Sequence, residues 1–378
     1  MNLPNMDVAN PHLQRRLRFL EQDPRNPTLL ADTAVAAFEV GLLDLCADLI
    51  DRLTAVAEPS PALLNVQGLA AIGQHQFERA AEIFEKLRAE GHDDPAVRFN
   101  LAWAKAMTGD FVTTDVLLDD DAIAASPRGP ALKIHALHHL ERYEDALTLG
   151  LSLAERYPDD RALMGALATL AMDAERADLS RIYAERAGDD PEGLAALAML
   201  ALGEQDAPTS AKLFDRAIAQ APHNPRAWIG KGLALLATGD PASAAEAIDR
   251  GADLFGDHLG SWIASGWAHF MSGANDHART SFERALEIDP NFAESHGGLA
   301  VLDMAAGRTE SARKHSEIAL RLDRKSLGGA LAKSMLLQAE GKDIAAERIR
   351  EIALSMPIGP DGQTIAQALS GLSGRTRQ

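Results

Sequence analysis

The sequence predicts an all-α solenoid of repeated antiparallel helix pairs, and three observations carry that reading. Ala, Leu, Glu and Arg recur throughout while aromatic residues make up only 5% of the 378 residues, a balance that favours helix over strand by intrinsic propensity. Gly239, Gly273, Gly307 and Gly341 stand 34 residues apart, and Ala244, Ala278, Ala312 and Ala346 repeat the interval five residues further on. Pro27, Pro61, Pro95, Pro127, Pro191 and Pro225 fall on the first residue of a unit in the same frame. A fixed period of this length, seen in independent registers, is the mark of a stacked repeat.

Each helix start has its own signal. Asn26, Ser60, Asp94, Ser126, Asp190 and Asn224 precede the six prolines; such side chains accept hydrogen bonds from the free amides of a first turn, and proline is pre-set for the first helical position. At the fourth start Pro130 follows Pro127 so closely that the helix could begin there instead. Apolar residues on both sides of each repeating glycine follow helical spacing, so a unit reads helix, turn, helix, with the glycine ending the first helix. Pro158, Pro222 and Pro290 stop second helices before the next unit begins. Between Pro95 and Pro191 the intervals are 32, 34 and 30 residues, and Asp119, Asp120 and Asp121 interrupt a helix. Either the stack bends near residues 115–130 or a second helix there is short.

In the unit from Leu259 to Phe292, Trp262, Gly266, Gly273, Ala278, Phe282, Ala285 and Pro290 resemble the signature of the tetratricopeptide repeat, and Trp228, Gly232, Gly239 and Ala244 repeat it one unit earlier. Further units begin at Pro27, Pro61, Pro95, Pro127, Arg161, Pro191, Ala293 and Leu327, about ten in all. The resemblance implies a right-handed superhelical solenoid and a bacterial-type cytoplasmic adaptor. It divides the chain into an N-terminal capping helix in 1–26, units one to three over 27–126, irregular units four and five over 127–190, regular units six to ten over 191–360, and a C-terminal capping helix with a tail in 361–378. Gly232, Gly266, Ala300, Ala244, Ala278 and Ala312 are expected where the two helices of a pair cross, and Trp228 and Trp262 between consecutive helices, all as packing residues.

Charge and motifs narrow the function classes. A net charge of -18 repels nucleic-acid phosphates and anionic lipids. Although 46% of the residues are hydrophobic, no run approaches the roughly 18 to 20 needed to cross a bilayer. The start MNLPNMDVAN lacks the features of a secretory signal. The expectation is a cytoplasmic protein without nucleic-acid or membrane partners. Cys46, the single cysteine, excludes an internal disulfide and reads as a small buried helix residue. Gly230, Lys231 and Gly232 do not make a phosphate loop, because Pro225 occupies the earlier glycine's place and no Ser or Thr follows the lysine. Asp93 with Asp94, and Asp189 with Asp190, lie at helix starts, where the dipole favours carboxylates. His135, His138 and His139 sit near one helix face at spacings of three and four. That spacing allows a metal-dependent enzyme or a pH-sensitive patch, but Glu141 lies well round the helix and no thiolate is near. No enzyme activity, cofactor or metal is expected.

In the family the first helix of each unit lines the concave groove. Its ninth places here are Val35, Leu69, Trp103, His135, Thr169, Met199, Leu233, Trp267, Val301 and Met335, and its twelfth places include Phe38, Ile72, Met172, Leu202, Leu236, Phe270 and Met304, so the bias is apolar. Of the Lys, Asn and Arg clamp by which some members grip a chaperone C-terminus, only Asn100 has a counterpart. The expected occupant is a protein or peptide partner, an amphipathic helix or apolar segment held in the groove. The candidate contacts are Ile229, Leu233, Leu236, Ile263, Trp267, Phe270, Met271, Val301 and Met304, with Met199 and Leu202 beside them and Phe99, Trp103 and Met107 as a second patch. A structural homo-oligomer assembled through the same surface is the alternative. Trp267→Glu is expected to weaken capture while leaving the fold intact.

Overall fold

The computed structural model describes residues 10–355, which hold 22 helices and no strand. α1 (Pro11–Gln22) precedes four pairs: α2 (Pro27–Glu39) with α3 (Leu43–Thr54), α4 (Pro61–Gly73) with α5 (Phe77–Ala89), α6 (Pro95–Met107) with α7 (Phe111–Leu117) and α8 (Asp120–Ala124), and α9 (Gly129–His139) with α10 (Tyr143–Arg156). α11 (Arg161–Asp173) contains the division between two compact units, the first running to Ala166 and the second from Leu167. Beyond it come α12 (Ala177–Ala187), α13 (Pro191–Gly203) with α14 (Ala207–Gln220), α15 (Pro225–Ala237) with α16 (Pro241–Phe255), α17 (Leu259–Met271) with α18 (Asn275–Ile288), α19 (Ala293–Ala305) with α20 (Thr309–Leu322), and α21 (Leu327–Ala339) with α22 (Asp343–Leu354). The expected capping helix in 361–371 lies outside the described residues.

One turn joins the two helices of every pair. Gly41, His75, Gly109, Glu141, Glu175, Gln205, Gly239, Gly273, Gly307 and Gly341 all take a left-handed φ between +57° and +83°. The amide that follows each donates to a carbonyl five residues back, from Leu42 to Ala37 in α2 through to Lys342 to Leu337 in α21. This is the Schellman closure, which satisfies carbonyls that a helix end leaves open. Glycine takes that φ without a Cβ penalty, which is why it marks six turns in the sequence, yet four units place His, Glu or Gln there.

The starts follow the caps. The side chains of Asn26, Ser60, Asp94, Asp190 and Asn224 accept from amides in the first turns of α2, α4, α6, α13 and α15 at 2.9–3.3 Å. The expected start at Pro127 moves to Gly129, with Pro130 inside the first turn. Ser126 instead accepts from Arg128 in the turn before it, at 3.2 Å.

Small residues let one large ring serve two pairs. Phe282 of α18 is fully buried, and a Cβ on Gly266 of α17 or on Gly298 of α19 would come within 2.5 Å of it. The ring therefore fills the crossing of its own pair and the seam to the next. Phe84 against Gly68 and Phe214 against Gly230 repeat the close approach. Ala244, Ala278, Ala300 and Ala312 are all fully buried, as the crossing requires. Cys46 is buried too, and burial pushes its thiol up to about 11.

The irregular stretch has a local cause. The second helix of the α6 pair breaks after Leu117: Leu118 leaves helical geometry at φ -87°, ψ 74°, and Asp119 caps α8 by accepting from Ala122 N at 2.9 Å. Consecutive residues on an unbroken helix point about 100° apart, and the break lets Leu117 and Leu118 both be buried. The freed carbonyl of Asp115 accepts from Lys133 Nζ at 2.7 Å, while its carboxylate receives Lys133 at 2.5 Å and Arg142 at 2.7 Å. α9 approaches so closely that a Cβ on Gly129 would lie 2.0 Å from the Ile123 carbonyl oxygen. The 30-residue interval has a different origin: α12 has 11 residues and ends at Gly188, φ +63°, two residues before the cap of α13.

Candidate partner-binding surface

In the second unit the first helices α13, α15, α17, α19 and α21 follow one another at the repeat period, and neighbours touch directly. Ile229 and Leu236 of α15 and Ala264 of α17 pack against one buried cluster made by Ala268 of α17 with Ala245 and Ile248 of α16. Trp267 and Phe270 of α17 and Met335 of α21 pack against one buried cluster made by Ala300 and Val301 of α19 and Ala332 of α21. The result is a continuous apolar surface along these helices.

Exposure sorts the candidate residues into three classes. Met271 at 59% and Met199 at 38% exposed stand out into solvent. Leu202, Ile229, Leu233, Leu236, Ile263, Trp267, Phe270 and Met304 are half-buried, each offering one edge. Val301 at 1% exposed is a core side chain beneath Trp267 and Phe270, so its expected place on the open surface is corrected. In the first unit Phe99 is likewise core at 9% exposed, Trp103 is half-buried under the Arg128 guanidinium at 5.0 Å, and Met107 is exposed.

Trp267 is more than a groove residue. Its ring meets the buried Phe282 edge-on at 5.4 Å and Phe270 at 5.9 Å. The expectation that Trp267→Glu leaves the fold intact is therefore corrected: a carboxylate there is placed against the ring that joins two pairs.

Several polar groups on the same helices are engaged within the protein. Arg226 pairs with Asp173 at 2.7 Å and Lys231 with Asp215 at 2.7 Å. His269 Nε2 lies 2.8 Å from Asp249, and Glu294 accepts from the amides of Leu327 and Gly328 at the start of α21 at 2.6 and 3.1 Å. Asp303, 1% exposed, takes Arg279 and Ser311 at 2.5 Å and Arg308 at 2.9 Å. Burial pushes the Asp303 carboxyl up, but these donors outweigh it and hold the group below its ordinary value.

Sequence reasoning missed a periodic anchor. Trp228 Nε1–H donates to Pro222 O at 2.9 Å and Trp262 Nε1–H to Gly256 O at 2.7 Å; one period later His296 Nε2 stands 3.1 Å from Pro290 O. Each ties a first helix to the carbonyl six residues before it, in the turn between units. The 34-residue spacing of the two tryptophans is legible in the sequence, but their polar role shows only once the turn carbonyl is placed.

The histidine cluster in the first unit builds no centre. The His139 ring stacks on Phe111 at 4.0 Å, and His138 leans on Tyr143 at 5.7 Å. Among the described residues no three His, Cys, Asp or Glu side chains converge as a metal site, and no described helix is long and apolar enough to cross a membrane.

Two family models described as tetratricopeptide repeat match the chain, one over residues 65–113 and 195–258, the other over 269–333. No curated protein matches. Among solved structures the chain is similar to YrrB, described as a TPR protein with an unusual peptide-binding site, at 15% identity over 51% of this chain and 97% of that one, with a TM-score of 0.42. It is similar to yeast Tom70 at 14% identity over 86% and 84%, TM-score 0.40, and to a MamA protein at 15% identity over 44% and 92%, TM-score 0.37.

Proposed function

Because this chain is a tetratricopeptide-repeat protein, we propose that it is a protein-interaction scaffold that holds an apolar or amphipathic segment of a partner along the first-helix surface of its second unit. The observation that carries this is the combination on those helices: Arg226, Lys231, His269, Glu294 and Asp303 are engaged internally, while Met199 and Met271 stand exposed among half-buried Leu, Ile, Trp and Phe edges. A surface of that kind offers little to a charged ligand and suits an uncharged apolar one, and methionine adapts its shape to varied partners. The reading is a binding protein and not an enzyme, because what this surface exposes is Met199 and Met271 among apolar edges, and the buried Ser261 hydroxyl, 2.6 Å from His258 Nδ1, belongs to the cap of α17.

The test compares three immobilised proteins for what they capture from a native lysate: the wild type, Met199→Glu/Met271→Glu, and Ile182→Glu, which alters an exposed residue of the second helix α12. The double variant is expected to lose the captured partner by roughly tenfold or more while Ile182→Glu keeps it. Equal capture by all three, or loss in Ile182→Glu alone, contradicts the proposal. A dimer in solution that Met199→Glu/Met271→Glu dissolves would identify the occupant as a second copy.

A further inference from the structure

The anchor that is tryptophan in two consecutive pairs is histidine in the third, and a second histidine stands beside it. His296 Nδ1 lies 3.1 Å from His315 Nδ1, with the ring centres 5.4 Å apart. In the 34-residue frame His315 occupies the place of Ser281 and Ala247, so Trp262 with Ser281 and Trp228 with Ala247 become two imidazoles. A fixed indole donor has been exchanged for two imidazoles, side chains that can take up a second proton.

The hydrogen bonds assign the protons. Pro290 O only accepts, so His296 Nε2 carries a hydrogen and, in the neutral ring, Nδ1 is bare. His315 Nδ1–H must then donate to it. A first added proton goes to His315 Nε2 and leaves this bond standing. A second must go to His296 Nδ1, which sets N–H against N–H across 3.1 Å. We infer that the His296–His315 pair is a proton-sensitive latch that holds α19 to α20 and to the turn at Pro290, and that opens when both rings are charged.

The surroundings favour the neutral form of His315. Burial first, and then His296, push His315 below its ordinary value of 6.5. Lys314 on its own helix and Arg279 on α18 act in the same direction, and Asp303 on α19 opposes them. α21 brings Lys333 and meets α19 through the backbone of Gly328 and Gly329, whose start is held by Glu294. α17 brings His269, which Asp249 holds. A histidine with a depressed folded value binds fewer protons folded than unfolded, so its contribution is complete above its ordinary value and is lost as pH falls through it. α19 carries Met304 of the candidate surface and the buried Val301 behind it, so acid would loosen that surface at one pair and spare the two tryptophan-anchored ones.

The experiment follows amide hydrogen exchange, corrected for its intrinsic pH dependence, from about pH 7.5 to about pH 5 in the full chain. Wild type is expected to lose protection in α19 and α20 by roughly tenfold or more while α15 and α17 hold theirs. His296→Trp/His315→Ser, which restores the pairing of the preceding unit, should keep protection across the range. His315→Asn, which retains a donor for His296 and removes one titrating ring, should lose less than wild type. Protection in wild-type α19 and α20 that does not change, or an equal loss in both variants, overturns the latch.

Discussion

Two stretches of the chain, one in each unit, solve the same packing problem differently. From α15 to α20 the pairs repeat at 34 residues, and one buried ring, Phe282, fills its own crossing and the next seam at once. From α6 to α9 the second helix breaks, and the gap is closed by Leu117, Leu118 and a polar knot of Asp115, Lys133 and Arg142. Strict periodicity allows a single side chain to couple neighbours. Where the spacing slips by two residues, the coupling is rebuilt from local contacts, and it depends on particular backbone approaches such as Gly129 to Ile123.

The comparison can be broken first at Phe282. Phe282→Ala empties a fully buried site shared by two pairs, and a loss of about 3 to 5 kcal/mol is expected by urea denaturation. A loss under about 1 kcal/mol would mean that the ring does not join them. Gly129→Ala comes next: a Cβ at 2.0 Å from a backbone oxygen forces the helices apart, with about 1 to 3 kcal/mol lost and the change in exchange confined to 95–140. Asp119→Ala removes the cap of α8 and should cost about 1 kcal/mol; a change spread over the second unit would contradict the local picture. The smallest effects lie in the shared turn. Gly273→Ala, at φ +82°, should cost about 1 kcal/mol, whereas Glu175→Gly, at φ +58°, should gain about 0.5 kcal/mol or less once the added chain entropy is subtracted.

The helix pairs were legible because their signals are local. Asn26 or Asp190 before proline needs only its own turn to act as a cap, and Gly273 needs only its own φ. Glu141, Glu175 and Gln205 adopt the same left-handed turn without glycine, so their positions follow only from the frame. What could not be read was whatever depends on a neighbouring helix. Val301 shares the ninth place with Met199, yet α19 approaches α21 closely through Gly297 and Gly328 while Trp267 and Phe270 of α17 pack from the other side, and Val301 is buried in the cluster they form. Places in a repeat predict which face a residue takes, and not how far the next helix covers it. The break after Leu117 was anticipated as one of two outcomes from the acidic run, because Asp119 is a strong cap wherever a helix can restart.

The most direct test of the contrast between the two stretches is native-state hydrogen exchange along the chain as denaturant is raised from zero. Residues 95–140 are expected to open at lower denaturant, as a separate step, before α15 to α20 exchange together. A single step in which both stretches lose protection at the same denaturant concentration would show that the broken helix couples its neighbours as firmly as Phe282 does, and would contradict the account.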